Sequence, residues 1–385
     1  MEEQRAVSPL PLRLPGLDVV RALAAVFVLI DHTIAGVMWL PSTSVAGVFL
    51  ARAAWHVAES FGMWGVGMFF VLSGLCIHLP NARKHEQTGW KLQFVPYIRR
   101  RFIRIYPPHL FALLLGIAVV AAVPSIAARP DFNMIKPPTL RFFALHLLMV
   151  HSFFADAFAS INVVLWTIAI EWHFYLAYPL ILMARRRFSM RTICLSLLAL
   201  SLTVRLGSSV LISSGELRGT LANSIVCRWW EWALGCYVAE RLLAKVNGRA
   251  ISRTGAVFAL AGGLVLAVAL VDLGRANLLF TYLCPPAFAL ALFVAAPMVV
   301  RPQNAVDRTL VGLGHQSYSL YLTHPIAIAI ATAVALPLRL PWYLAAVSML
   351  AFSLILSRAF FLTVERPFMI QAAAAKVPEK SLAVG

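Results

Sequence analysis

The sequence predicts an all-α, polytopic membrane helix bundle of about ten transmembrane helices, with both termini cytoplasmic. Three observations predict it. Of 385 residues, 61% are hydrophobic and only 13% are charged, where a soluble domain is about a quarter charged. The mean hydropathy is +0.80. Apolar runs of about 20 residues, the length that crosses a bilayer, recur along the whole chain, and no stretch between them has the composition of a soluble domain.

The first element is expected at 18–40. It follows MEEQRAVSPLPLRLPG, which has no short apolar core before a small-residue cleavage site, so this helix is expected to be retained rather than cleaved as a signal. Further spans are expected at 61–80, 107–128, 163–183, 190–212, 223–243, 254–272, 277–300, 311–334 and 342–363. The apolar stretch 141–158, with His146 and His151, is the difficult one. With a cytoplasmic N-terminus and this stretch not crossing, 21 Lys and Arg lie in inner segments and 7 in outer ones. A crossing would carry Arg185, Arg186 and Arg187 outside, against the positive-inside tendency. The stretch is therefore expected to be re-entrant or to lie at the outer surface, with eleven spans as the alternative. The preceding loop RPDFNMIKPPTL (129–140) is expected to be irregular because of its prolines.

The net charge of +17 would point to nucleic acid in a soluble protein. Here Lys and Arg in cytoplasmic loops account for it, and no nucleic-acid partner is expected. The five cysteines (Cys76, Cys194, Cys227, Cys236, Cys284) all fall in apolar segments without metal-ligand spacing, so neither a metal nor a disulfide framework is expected.

The loop sequence YIRRRFIRIYPP (97–108) is open to two readings. One is an ordinary cytoplasmic anchor. The other is a phosphate site formed by Arg99, Arg100, Arg101 and Arg104, because clustered guanidinium groups favour bidentate phosphate contacts.

Ionisable groups inside the apolar runs carry the functional argument, since each is costly in hydrocarbon. In GLDVVRALAAVFVLIDHT (16–33), Asp18, Arg21 and His32 fall within roughly 60° of one another on a helical wheel, and Asp31 points about 100° away from His32. Arg21 and His32 are separated by roughly 16 Å of rise. Asp18 and Arg21 can also be read as a pair that merely anchors the helix entrance. LWTIAIEWHFYLAYPL (165–180) aligns Glu171, Tyr175 and Tyr178. SYSLYLTHP (317–325) aligns Ser317, Tyr321 and His324. Arg228 and Glu231, three apart, suit a structural ion pair. Counted along their helices, His32, Glu171 and His324 reach a similar depth, and one cavity opening outward is expected to hold all three. Ser73 and Gly74 in GMFFVLSGLCIH (67–78) suit close helix approach, with Ser73 a weaker candidate for a nucleophile.

In this order, LDVVRALAAVFVLIDH, FFVLSG, RRRFIRIYP, LWTIAIEWHFY, SYSLYLTHP and ERPF (365–368) resemble the bacterial acyltransferase-3 family of integral-membrane O-acyltransferases. The resemblance covers residues 13–368 and leaves 369–385 as a short cytoplasmic tail. It implies a multi-pass protein of the bacterial inner membrane. It also implies transfer of an acyl group, often acetyl, from cytoplasmic acyl-CoA to a hydroxyl of a carbohydrate or glycan. The family's active Arg and His map to Arg21 and His32. Some members carry a fused esterase-like domain that completes the transfer outside. Here either the acceptor is acylated directly or a separate extracytoplasmic transferase finishes the reaction.

Together, the residues and the resemblance lead us to expect His32 as general base and Arg21 as donor-orienting or charge-stabilising group. Asp18, Glu171, His324, Tyr321 and Ser73 are expected to support them or to bind the acceptor. Arg99, Arg100, Arg101 and Arg104 are expected to hold the phosphates of acyl-CoA, the co-substrate. Direct transfer needs no metal and no bound cofactor. The alternative is a transporter or flippase, because intramembrane Asp, Arg, Glu and His also mark substrate paths.

Overall fold

The computed structural model describes residues 15–38, 40, 45–124, 135, 137–243, 285–286, 288–289 and 304–375. The expected spans 254–272 and 277–300, apart from four positions, lie outside the described residues, as do Cys284 and most of the 129–140 loop and of the tail. Among the described residues the chain is helical, with one isolated bridge between Ile135 and Asn162.

Helix α1 (Pro15–Met38) opens the bundle, followed by α2 (Val45–Thr88) and α3 (Phe94–Ala122). A short helix, α4 (Leu140–Leu147), leads to a 3-10 turn at His151–Phe153. Then come α5 (Leu165–Arg185), α6 (Met190–Leu211), α7 (Gly215–Ala222) and α8 (Ile225–Leu243). After the undescribed stretch follow α9 (Ala305–His315), α10 (Ser317–Ala335), α11 (Trp342–Phe360), a π turn (Phe361–Glu365) and α12 (Arg366–Ala374).

Seven described helical segments are long and apolar enough to cross a membrane: Gly16–Met38, Gly62–His85, Phe94–Ala122, Leu165–Arg185, Met190–Leu211, Ser317–Ala335 and Trp342–Ala374. The protein is a multi-pass membrane protein. Helix α8 matches the expected span 223–243 but carries Arg228, Glu231, Glu240 and Arg241. Three of those charges are compensated inside the bundle. Arg228 Nη1 lies 2.7 Å from Glu231 Oε1, the expected structural pair, and Glu240 accepts from Arg185 Nε and Nη2 at 2.6 and 2.9 Å.

Helix α1 packs along α2 on one flank and against α9 and α10 on the other; α2 is backed by α8, and α8 by α6. The α2–α8 contact is close because both helices place glycine at it. A Cβ on Gly74 would overlap the Trp232 carbonyl, and one on Gly235 would overlap the Val71 carbonyl. Without a hydrophobic force between helices in lipid, such small residues let backbones approach and gain packing.

Three expected boundaries are corrected. The segment 45–60 is not an outer loop but the start of α2, and YIRRRFIRIYPP is not a loop but the first turns of α3, with Pro107 and Pro108 inside the helix. In α3 basic and polar residues precede the apolar run within the same helix, so hydropathy alone starts it too late. The expected span 311–334 is split at Gln316: α9 ends at His315 and α10 begins at Ser317. Gly314, one residue before that end, seats tightly against the Asp18 carbonyl of α1.

The stretch 141–158 forms no single helix. Thr139 caps α4, its Oγ1 accepting from the Phe142 N–H at 3.1 Å, and the helix ends after two turns at Met149 (φ 55°). The 3-10 turn that follows contacts α7. His146 and His151 stack in the interior with ring centroids 3.7 Å apart, both fully buried. At the surface of this segment Arg141 pairs with Asp156 and holds that carboxyl below its ordinary range.

Candidate active site

The polar face of α1 begins with an ion pair. Arg21 Nη1 donates to Asp18, its Nη2 lies 2.9 Å from Cys76 Sγ on α2, and Asp18 Oδ2 also lies 3.2 Å from His315 Nε2 at the end of α9. One turn of α1 is thereby tied to two neighbouring helices.

Asp18, Arg21 and Cys76 line a cavity of about 2070 Å³ that runs between α1, α2, α3, α5, α10 and α12. Its walls carry nine Lys and Arg against two carboxylates, Asp18 and Glu171, so the cavity suits an anionic occupant. Three of the four expected arginines face it: Arg100, Arg101 and Arg104. Arg99 is exposed on another face of α3 and does not line the cavity, which corrects the expectation of a four-arginine cluster. At about 100° per residue, Arg100, Arg101 and Arg104 fall within roughly 100° of one another, whereas Arg99 lies roughly 160° around the helix from Arg101.

Arg101 and Arg104 are braced. Arg101 lies over the rings of Tyr97 and Tyr175, 6.0 Å from each centroid. Arg104 Nη2 lies 3.0 Å from Glu365 Oε1, a carboxylate with no solvent exposure. Glu365 also accepts from the Ser319 N–H at 3.0 Å and from Ser319 Oγ at 2.5 Å. Arg101 Nε and Arg104 Nη1 remain buried donors without a hydrogen-bond partner among the described residues. Unfilled donors of this kind are costly unless a ligand satisfies them.

Deeper in, Glu171 accepts from Tyr175 Oη at 2.5 Å, Tyr175 Oη lies 3.1 Å from Ser73 Oγ, and Trp232 Nε1 donates to Ser73 Oγ at 3.2 Å. Since Tyr175 spends its only proton on Glu171, Ser73 must donate to Tyr175. Ser73 is thus a link in a wall network rather than an activated nucleophile.

His32 and His324 form a pair, His324 Nε2 lying 3.3 Å from His32 Nδ1. His324 Nδ1 lies 3.0 Å from the Leu320 carbonyl and His32 Nδ1 3.0 Å from the Val28 carbonyl. Carbonyls only accept, so each Nδ1 carries the proton. His32 Nδ1–H is then shared between the Val28 carbonyl and His324 Nε2, and His32 Nε2 holds a lone pair. Asp31 Oδ2 is 3.9 Å from His32 Nδ1, and the side chain turns to Gly62 of α2.

The expected single cavity for His32, Glu171 and His324 is corrected. Glu171 lines the basic cavity, together with Ser73 and Tyr321, but His32 and His324 do not. Tyr321 stands between. It faces the cavity, packs edge-on against Phe69 (centroids 5.4 Å) and contacts the His324 ring (5.9 Å) on the next turn. Its hydroxyl is hydrogen-bonded to Thr167 Oγ1 at 2.8 Å.

Comparison with known proteins settles the family. A family model described as Acyltransferase domain matches residues 14–359. The chain belongs to that acyltransferase-3 family. The acyltransferase is 25% identical over 348 residues to the acyltransferase MdmB of Streptomyces mycarofaciens, covering 83% of this chain and 80% of that one. It is 27% identical over 345 residues to the O-acetyltransferase OatA of Staphylococcus aureus, covering 83% of this chain and 51% of that one, so it spans about half the length of that relative. No solved structure matches it.

Several residues that line or brace the cavity and its ion pair are not among those expected from the sequence. Glu365 appears in the ERPF signature, yet only the fold shows that it braces Arg104. Cys76 and His315 contact the Asp18–Arg21 pair from segments 55 and 297 residues away, respectively. Phe69 sits in FFVLSG, where an apolar residue carries no chemical signal of its own.

Proposed function

We propose that this acyltransferase transfers an acyl group, acetyl in the first instance, from acyl-CoA to a hydroxyl of a carbohydrate or glycan. The observation that carries the reading is the cavity with nine basic side chains that ends one helical turn from the His32–His324 pair. Its volume, about 2070 Å³, exceeds the roughly 300–1,000 Å³ of ordinary small-molecule pockets and suits a large anionic thioester. The named activity of the O-acetyltransferase relative supports acetyl as the group moved.

Arg100, Arg101 and Arg104 take the phosphates of the donor, the orphaned Arg101 Nε and Arg104 Nη1 among the donors used. Arg21 stands roughly 16 Å of helix rise from His32, so it holds the donor rather than the reacting carbonyl, and Asp18 keeps its guanidinium in place. His32 Nε2 removes the proton of the acceptor hydroxyl as its oxygen attacks the thioester carbon. The C–S bond breaks, and the thiolate takes the proton back from His32. His324 accepts from His32 Nδ1–H and steadies the imidazolium that forms meanwhile. Glu171 and Tyr321 shape the inner wall of the cavity.

In the membrane, the arginine end of α3 faces the cytoplasm, where acyl-CoA is found, and the chain crosses the bacterial inner membrane ten times with both termini inside. The 140–158 segment lies on the outer side without crossing. The acceptor is a membrane-associated glycan, acylated directly or through a separate extracytoplasmic transferase.

The test is release of free thiol from acetyl-CoA by the purified protein in lipid nanodiscs with oligosaccharide acceptors. His32→Ala should lower the rate by about 10²–10⁴-fold with unchanged melting behaviour. Full activity in that variant removes His32 from the mechanism.

A further inference from the structure

The donor cavity and the histidine pair are neighbours without being continuous, and the residues between them are specific. Phe69 of α2 and Tyr321 of α10 both line the inner end of the cavity, ring against ring at 5.4 Å. Tyr321 is held there by Thr167 Oγ1 at 2.8 Å, and Thr167 in turn reaches the Val164 carbonyl at 2.8 Å. On its far side Tyr321 touches the His324 ring, and His324 touches His32. The cavity lining also includes the apolar Val66, Phe70 and Ile168, and Glu171. Phe69, Val66, Phe70 and Ile168 have neither a charge nor a polar proton to contribute to phosphate binding.

We infer that the Phe69–Tyr321 pair is the partition that meets the acyl end of the donor and limits how large an acyl group this enzyme transfers. The inference rests on the acyl-CoA reading above. The phosphates stay at the arginine end, so the donor enters acyl group first. A two-carbon acyl group brings its thioester carbon up to the partition, beside the histidines. Each further methylene meets the two rings and sets the thioester back from His32, out of line for the attack in which the O–C bond forms and the C–S bond breaks. The Thr167 bond fixes the tyrosine rotamer, so the barrier is rigid. Rigid apolar walls discriminate a single methylene by about 10–200-fold.

The experiment measures thiol release from acetyl-, butyryl- and hexanoyl-CoA in membrane vesicles of the source cell, which contain the natural acceptor. Wild type should lose about 10-fold or more at each lengthening step. Phe69→Ala and Tyr321→Leu should raise the hexanoyl-to-acetyl ratio by about 10-fold or more. Phe69→Leu carries the same comparison if the alanine variant does not fold, and Phe69→Trp should sharpen the preference for acetyl. An unchanged chain-length profile in folded Phe69 and Tyr321 variants overturns the partition and leaves the acyltransferase mechanism standing. Absence of thiol release by wild type from all three thioesters overturns the acyl-CoA reading itself, and the partition falls with it.

Discussion

His324 Nε2 lies 3.3 Å from His32 Nδ1, and both Nδ1 atoms are committed to backbone carbonyls one turn earlier on their own helices. Two histidines 292 residues apart in the chain are thus fixed in one tautomeric arrangement, with the basic nitrogen of His32 turned away from its partner.

This arrangement makes His324 a positioning residue. His324→Ala should lower kcat by about 10²-fold, the cost of a misplaced reacting group, while KM for acetyl-CoA stays at the wild-type value. His324→Asn, which keeps a polar acceptor near Nδ1 of His32, should recover part of the rate. A change confined to KM would contradict the assignment. Steady-state kinetics on nanodisc-embedded protein separates the two.

The cavity arginines act on the donor. Arg101→Gln and Arg104→Gln should each raise KM for acetyl-CoA by about 10-fold, because a charge-assisted hydrogen bond is worth roughly 1.5–3 kcal/mol and each tenfold is about 1.4 kcal/mol. Arg99→Gln should change nothing, since Arg99 is exposed outside the cavity. Equal effects at all three positions would point to a diffuse charge effect instead of a built site.

Glu365 is fully buried, and three of its contacts converge from α3 and α10. Glu365→Gln should destabilise the protein by about 3 kcal/mol, the cost of leaving one member of a buried ion pair uncompensated. It should also raise KM for acetyl-CoA by releasing Arg104. Thermal unfolding in detergent and steady-state kinetics read the two effects separately. Loss of stability with wild-type KM would make Glu365 purely structural.

The 140–153 segment predicts acid sensitivity. Burial pushes His146 down to about 4 and His151 well below its ordinary value of 6.5. Between those values the unfolded chain binds protons that the folded chain refuses, so stability falls as pH drops from about 6.5 toward 4. The melting temperature should decline over that window, and the decline should be shallower in His146→Asn. A flat profile between pH 7 and 5 would show that these imidazoles do not stay neutral in the folded protein.

The sequence by itself determined the class of the protein, the order of its helices and the residues whose presence in apolar runs demanded an explanation. Hydropathy and charge asymmetry are local properties, and hydropathy sufficed for the helices α1, α5, α6 and α8. They placed Arg100, Arg101, Arg104, Asp18 and Arg21 near helix entrances and Glu171 deeper in its helix, and a wheel shows which face each occupies. They failed at α3 and at the α9–α10 break, because helix continuation through polar residues, and interruption at Gln316, leave no mark in hydropathy. Periodicity also could not say that Glu171 and the histidines stand on different sides of Tyr321. Depth along a helix is one coordinate, whereas a cavity is enclosed by rings from several helices. Only the tertiary structure brought Phe69 to Tyr321, Glu365 to Arg104 and His324 to His32, because those contacts join segments far apart in the chain whose separate sequences carry no record of each other.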